Sequence, residues 1–170
     1  MKIALILLAA ILLLIIGVVA IGALLPKRHV ASRSASYRAT PEQLFNLIVG
    51  DQKWRPDVTS CETADDDRGW VIQRETTRNG ETITYEIKNI KRPTSLTRRI
   101  ATEGLPYSGT WSFSLEPDGA HTVVRITEDG QVYNPVFRFV SRFIIGHTRT
   151  MDAYLRALGK ATGQEVEVKD

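Results

Sequence analysis

Residues 134–162 read NPVFRFVSRFIIGHTRTMDAYLRALGKAT, and the reading of the fold starts from them. Asn134 is a favourable helix N-cap, and Pro135 suits the first helical position, where its missing N–H costs nothing. Val136, Val140, Ile144, His147, Met151, Leu155 and Leu158 then recur at helical spacing, with Phe137, Phe143 and Tyr154 beside them. The spacing predicts one helix over 134–162, on the order of 40 Å long at 1.5 Å per residue. An apolar face of that length needs a broad partner, and the strands that precede it supply one if they curve into a single sheet.

Those strands are read from period-two alternation bounded by turn signals. A first strand covers His29–Ala39. Thr40-Pro41-Glu42-Gln43 opens a short helix with a capping box, Leu44, Phe45, Leu47 and Ile48 form its buried stripe, and Gly50 ends it. Asp51–Asp57 is a second short turn or helix whose one large apolar residue, Trp54, is expected to point inward. Strands follow over 58–64, 70–77, 82–92, 96–102, 108–116 and 121–132. Asn79-Gly80 marks a hairpin, expected as a type I′ turn with positive φ at both residues. The short connections predict antiparallel pairing. The expected fold is α+β: a curved antiparallel sheet of about seven strands wrapped around a long C-terminal helix. The domain is assigned to 27–163, and the polar tail 164–170 is expected to fray.

Residues 1–26 stand apart. Ile3–Leu25 carries no charge, proline or strongly polar side chain. About 20 apolar residues cross a bilayer as a helix. A cleaved secretory signal is the alternative, but its apolar region runs only about 7–15 residues. A single-pass membrane anchor is therefore expected. Lys27, Arg28, Arg33 and Arg38 follow the span against Lys2 and the amino terminus before it, which leans towards a domain on the cytoplasmic side.

Composition narrows the function classes. The remaining chain, about 145 residues, is enough for one domain. Net charge is +3, with basic residues scattered rather than clustered, which points away from nucleic acid. The single cysteine, Cys61, excludes an internal disulfide and a Cys-rich metal site, and it reads as an inert strand thiol. Asp65-Asp66-Asp67 lacks the loop pattern of a calcium site and reads as a solvated turn. No phosphate-binding loop, dinucleotide fingerprint or nucleophile elbow is present, so no cofactor is implied.

The order strand, two short helices, six strands and a long helix resembles the helix-grip fold of the START-like (SRPBCC) superfamily, which includes the polyketide cyclase/dehydrase and lipid transport proteins. Ala39-Thr40-Pro41-Glu42-Gln43-Leu44-Phe45, Asp51 with Trp54 and Pro56, Gly109-Thr110-Trp111-Ser112-Phe113 and Val132-Tyr133-Asn134-Pro135-Val136-Phe137-Arg138-Phe139 carry the resemblance. A single N-terminal span looks like membrane-anchored bacterial members of that group. The resemblance implies a cavity between sheet and helix for a hydrophobic or amphipathic small molecule, a lipid or polyketide-like compound. It does not fix any chemistry.

Strand parity places Ile72, Arg74, Ile83, Tyr85, Ile87, Arg98, Trp111, Phe113, Val124, Ile126 and Glu128 inward, and the helices add Trp54, His147 and Met151. Trp54, Arg74, Tyr85, Arg98, Trp111, Phe113, Glu128, His147 and Met151 are the candidate cavity residues. Inward charges are costly unless paired. Arg74 or Arg98 is expected to pair with Glu128 and to meet the polar end of the ligand. His147 has no neighbouring ligand at metal-binding spacing, so no metal site is expected. Three functions compete: a membrane-tethered binding or transfer module; a cyclase or hydratase using His147, Glu128 or Tyr85 as acid and base; and an interaction protein whose cavity is filled by its own side chains. With no nucleophile and no metal, binding is expected over catalysis.

Overall fold

A computed structural model describes residues 2–170. Met1, counted above in the N-terminal segment, lies outside the described residues. An apolar helix, α1 (Lys2–Leu24), leads into β1 (Arg28–Tyr37), α2 (Pro41–Val49) and a 3-10 turn (Gln52–Trp54). Six strands follow: β2 (Val58–Asp65), β3 (Val71–Thr77), β4 (Thr82–Lys91), β5 (Ser95–Ile100), β6 (Tyr107–Asp118) and β7 (His121–Val132). They form one antiparallel sheet in the order β1-β7-β6-β5-β4-β3-β2, so the first strand joins the last and the meander closes the rest. This is the expected α+β helix-grip architecture.

Local chemistry sets the boundaries. Thr40 accepts from the Gln43 N–H while the Gln43 side chain accepts from the Thr40 N–H, so the capping box forms as read. Asn134 caps the last helical region through the N–H groups of Val136 and Phe137. The 77–82 connection is a hairpin, but positive φ is carried by Gly80 and not by Asn79. The type I′ geometry is therefore replaced by a longer loop closed by Thr77 and Glu81.

The C-terminal helix is broken, not continuous. Helix α3 covers Pro135–Val140, a π turn covers Ser141–Ile145, and α4 covers Arg149–Ala161. Gly146, with φ 82° and ψ 152°, ends the π turn and breaks the helical path between them. Only α4 lies in the grip: Met151, Leu155 and Leu158 are fully buried against Leu96, Phe113, Leu115, Val124 and Ile126. Val136, Phe137, Phe143, Ile144 and Ile145 are exposed instead. The apolar periodicity ran across the break because both halves are apolar, for different reasons.

The tail does not fray. Ser34 and Lys169 exchange both backbone hydrogen bonds at 2.8 Å, Val166 and Val168 pack on the core, and Arg33 binds Asp170 as well as Asp152. These contacts cover the otherwise open edge of β1.

Candidate functional site

On the concave face, residues pair across the sheet in rows. Glu128 on β7 stands opposite Trp111 on β6, and Trp111 opposite Arg98 on β5. One row further along, Gly130 stands opposite Gly109. Both glycines share the inward parity of Glu128 and Trp111, near the ends of β6 and β7, but the His29 ring and Glu128 cover Gly130, where a Cβ would meet His29 Nε2 at 2.6 Å, so the open position is Gly109. A Cβ at Gly109 would meet only backbone, with Asp129 O nearest at 3.3 Å. Around Gly109 the inward residues Tyr85, Ile100, Tyr107, Trp111, Glu128 and His29 are half-exposed, whereas those under α4 are buried. The contrast follows the break at Gly146: α4 covers one half of the face and leaves the other, hereafter the groove, half-exposed.

The half under α4 is filled. Tyr154 sits among Trp54, Trp111 and Phe113, with ring centroids 5.2, 5.5 and 5.7 Å away. Its hydroxyl donates to Gln52 Oε1, and burial pushes its pKa up to about 12. Two outer hollows, of about 630 and 480 Å³, border the tail with β1, and α2 with the end of α4; none of the nine candidate residues lines either.

Polar groups flank the groove in two clusters. In the first, Glu128 accepts from Trp111 Nε1–H at 2.8 Å and from His29 Nε2 at 2.9 Å. His147 stacks on His29 with centroids 3.9 Å apart. Burial, then His29 and Arg142, holds the His147 pKa below its usual 6.5. In the second, Glu75 binds Arg98 through Oε1 and Arg55 through Oε2, the latter at 2.9 Å. The Arg98 guanidinium lies 3.8 Å from the Tyr85 ring centroid, and burial raises the Tyr85 pKa. Arg98 Nε is buried with no hydrogen-bond partner among the described residues, as are Gln73 Oε1 and Arg138 Nε. Such groups are rare in native interiors and call for a partner.

The structure thus brings Tyr85, Trp111, Glu128 and His147 to the groove, buries Arg98 with Glu75 one row away, and places Trp54, Phe113 and Met151 in the packed half. Arg74 is exposed on the convex face. The parity of β3 is opposite to that read from Ile72, because Val71 and Ile72 are equally apolar and give the alternation no sign. What decides it is polar: Gln73 caps the end of α2 through Val49 O and Gly50 O, and Glu75 takes the two arginines. Arg98 therefore pairs with Glu75, and Glu128 with His29 and Trp111, correcting the expected Arg–Glu128 pair. Sequence reasoning missed His29, Arg55, Glu75, Gly109 and Gly130. Of these, the two glycines inside strands carried a readable signal.

Comparison with known proteins follows the same lines. Residues 28–162 match the family described as polyketide cyclase / dehydrase and lipid transport. No curated protein matches the chain. Among solved structures, a START superfamily protein from Mycobacterium smegmatis is similar with a TM-score of 0.61 at 13% identity, covering 79% of this chain and 97% of that one. Norcoclaurine synthase from Thalictrum flavum gives 0.60 at 14%, covering 81% and 88%. The protein Ara h 8.0201 gives 0.58 at 15%, covering 81% and 99%. At these identities the structural likeness concerns the fold.

Proposed function

The chain belongs to the polyketide cyclase / dehydrase and lipid transport family, and on that premise we propose that it is a membrane-anchored binding or transfer module for an amphipathic small molecule, lipid or polyketide-like. Helix α1 has the length and composition of a membrane span, which are also those of a signal sequence. We take it as the anchor, with the domain on the cytoplasmic side. The groove over Gly109 takes the ligand. Its apolar body lies against Tyr85, Ile100 and Trp111, and an acceptor oxygen of its polar end meets Arg98 Nε. The observation that carries this reading is Gly109, an inward position without a side chain one row from Arg98, whose guanidinium Nε–H is buried with no partner among the described residues.

Native mass spectrometry of the full chain from detergent, with extraction of bound compounds, tests it. A co-purifying amphiphile that is lost in Gly109→Val supports the reading. A Cβ there lies 3.3 Å from Asp129 O, tight against backbone, so the loss counts only if Gly109→Val and the milder Gly109→Ala keep the circular-dichroism spectrum and urea midpoint of the parent. An empty protein that also takes up none of a panel of fluorescent lipids would favour an interaction protein with a filled interior.

The His29–Glu128 pair with His147 stacked on it favours a second reading, a cyclase or hydratase-type enzyme. An imidazole hydrogen-bonded to an oriented carboxylate is a competent acid–base unit. Glu128→Gln distinguishes the two: turnover of a bound polyketide-like compound would fall while its retention persists.

A further inference from the structure

Helix α1 is not a loose tether. Gly22 packs so closely on Pro135 that a Cβ would overlap the Pro135 carbonyl. Arg138, buried on α3, donates to Leu25 O at 2.8 Å and to Ala23 O at 3.3 Å. It thereby satisfies carbonyls that the end of α1 leaves open, with a cation at the negative end of the helix dipole. The segment 133–145 is consequently fixed beside the last turn of α1. A helix of 23 residues spans about 35 Å, slightly more than the roughly 30 Å hydrocarbon core. Its final turn, and with it this elbow, therefore stands where lipid meets water.

The elbow's surface suits that depth. Tyr133, Val136, Phe137, Phe143, Ile144 and Ile145 are each 39–69% exposed, a concentration of apolar side chains that the rest of the domain does not cover. Arg142 within it and Lys27 beside the end of α1 supply positive charge that anionic headgroups attract, whereas the neighbouring Arg28 is held by Asp129. We propose that the α3–π-turn elbow is a membrane-contacting segment that inserts its apolar side chains into the leaflet at the end of α1, so that the groove beneath His147 opens at the bilayer surface. This inference rests on the anchor reading of α1.

The full chain, reconstituted in phosphatidylcholine/phosphatidylglycerol vesicles, provides the test. In a Cys61→Ser background, single cysteines at Leu13, Ile144 and Asp118 are labelled with an environment-sensitive fluorophore, and nitroxide-bearing lipids serve as quencher. The expected result is a blue shift and loss of emission at both Leu13 and Ile144, with Asp118 unchanged. Quenching at Leu13 but not at Ile144 would overturn the elbow proposal and leave the anchor standing. Quenching at neither would overturn both.

Discussion

Glu75 holds two guanidinium groups, and Arg98 is buried with it while Arg55 is nearly so. Removing the carboxylate leaves the buried Arg98 without its anionic partner, while Arg55 keeps Asp57. Breaking a buried ion pair from one side costs about 3–5 kcal/mol. Glu75→Gln is therefore expected to destabilise the protein by that order, read as a lower midpoint in urea at unchanged slope. A loss within 0.5 kcal/mol would mean that water reaches the cluster freely. His147 gives a second residue-scale prediction. Its folded pKa lies below the 6.5 of the unfolded chain, chiefly because of burial. Between the two values the unfolded chain binds more protons at this site, so stability rises with pH there. The contribution is fully present above pH 6.5 and is lost as pH falls through the folded value. An NMR titration should give a His147 midpoint below 6.5, and His29→Gln should move it back towards 6.5. A midpoint at or above 6.5 in the unmutated chain would contradict the stacked, half-buried placement.

Among the elements, the break at Gly146 decides how much of the sheet α4 covers. Its φ of 82° with ψ of 152° falls where essentially only glycine goes, and another residue there costs about 1–3 kcal/mol. Gly146→Ala is thus expected to destabilise. In a continuous helix the same change would stabilise by about 1 kcal/mol, so the sign from chemical denaturation separates the two geometries. The strands, the capping box and the Asn134-Pro135 start were all legible in the sequence, because each rests on contacts within a few residues. The break was not legible from periodicity, which reports that a face is apolar and not what covers it. Met151 and Leu155 face the sheet, whereas Phe143 and Ile144 face outward. The β3 parity failed for a related reason: Gln73 and Glu75 are drawn inward by partners 20 or more residues away, at Val49 and Arg55 or beyond. The candidate site was half legible. Arg98, Trp111 and Glu128 followed from alternation, but their partners His29 and Glu75 depended on which strands and loops the fold brings together.

For the whole molecule, the consequence is that helix α1 and the domain are one packed unit, joined through Gly22, Pro135 and Arg138. A chain beginning at Pro26 would lose the Ala23 and Leu25 acceptors of Arg138 and uncover the Pro135 surface. Leaving a buried donor unsatisfied costs about 1–3 kcal/mol. The shortened chain should therefore unfold at lower denaturant and self-associate through the uncovered elbow, which sedimentation would register. The two halves of that statement separate in a cycle. In the full chain Arg138→Met removes the cap from α1 and is expected to destabilise the elbow, seen as faster amide exchange over 133–145. In the shortened chain the acceptors are already gone, so the same substitution should cost little or relieve a stranded charge. Their non-additivity measures the coupling directly. Equal effects in both backgrounds would show that Arg138 acts within the domain, through Tyr133 O, and that α1 is held by close packing at Gly22 alone.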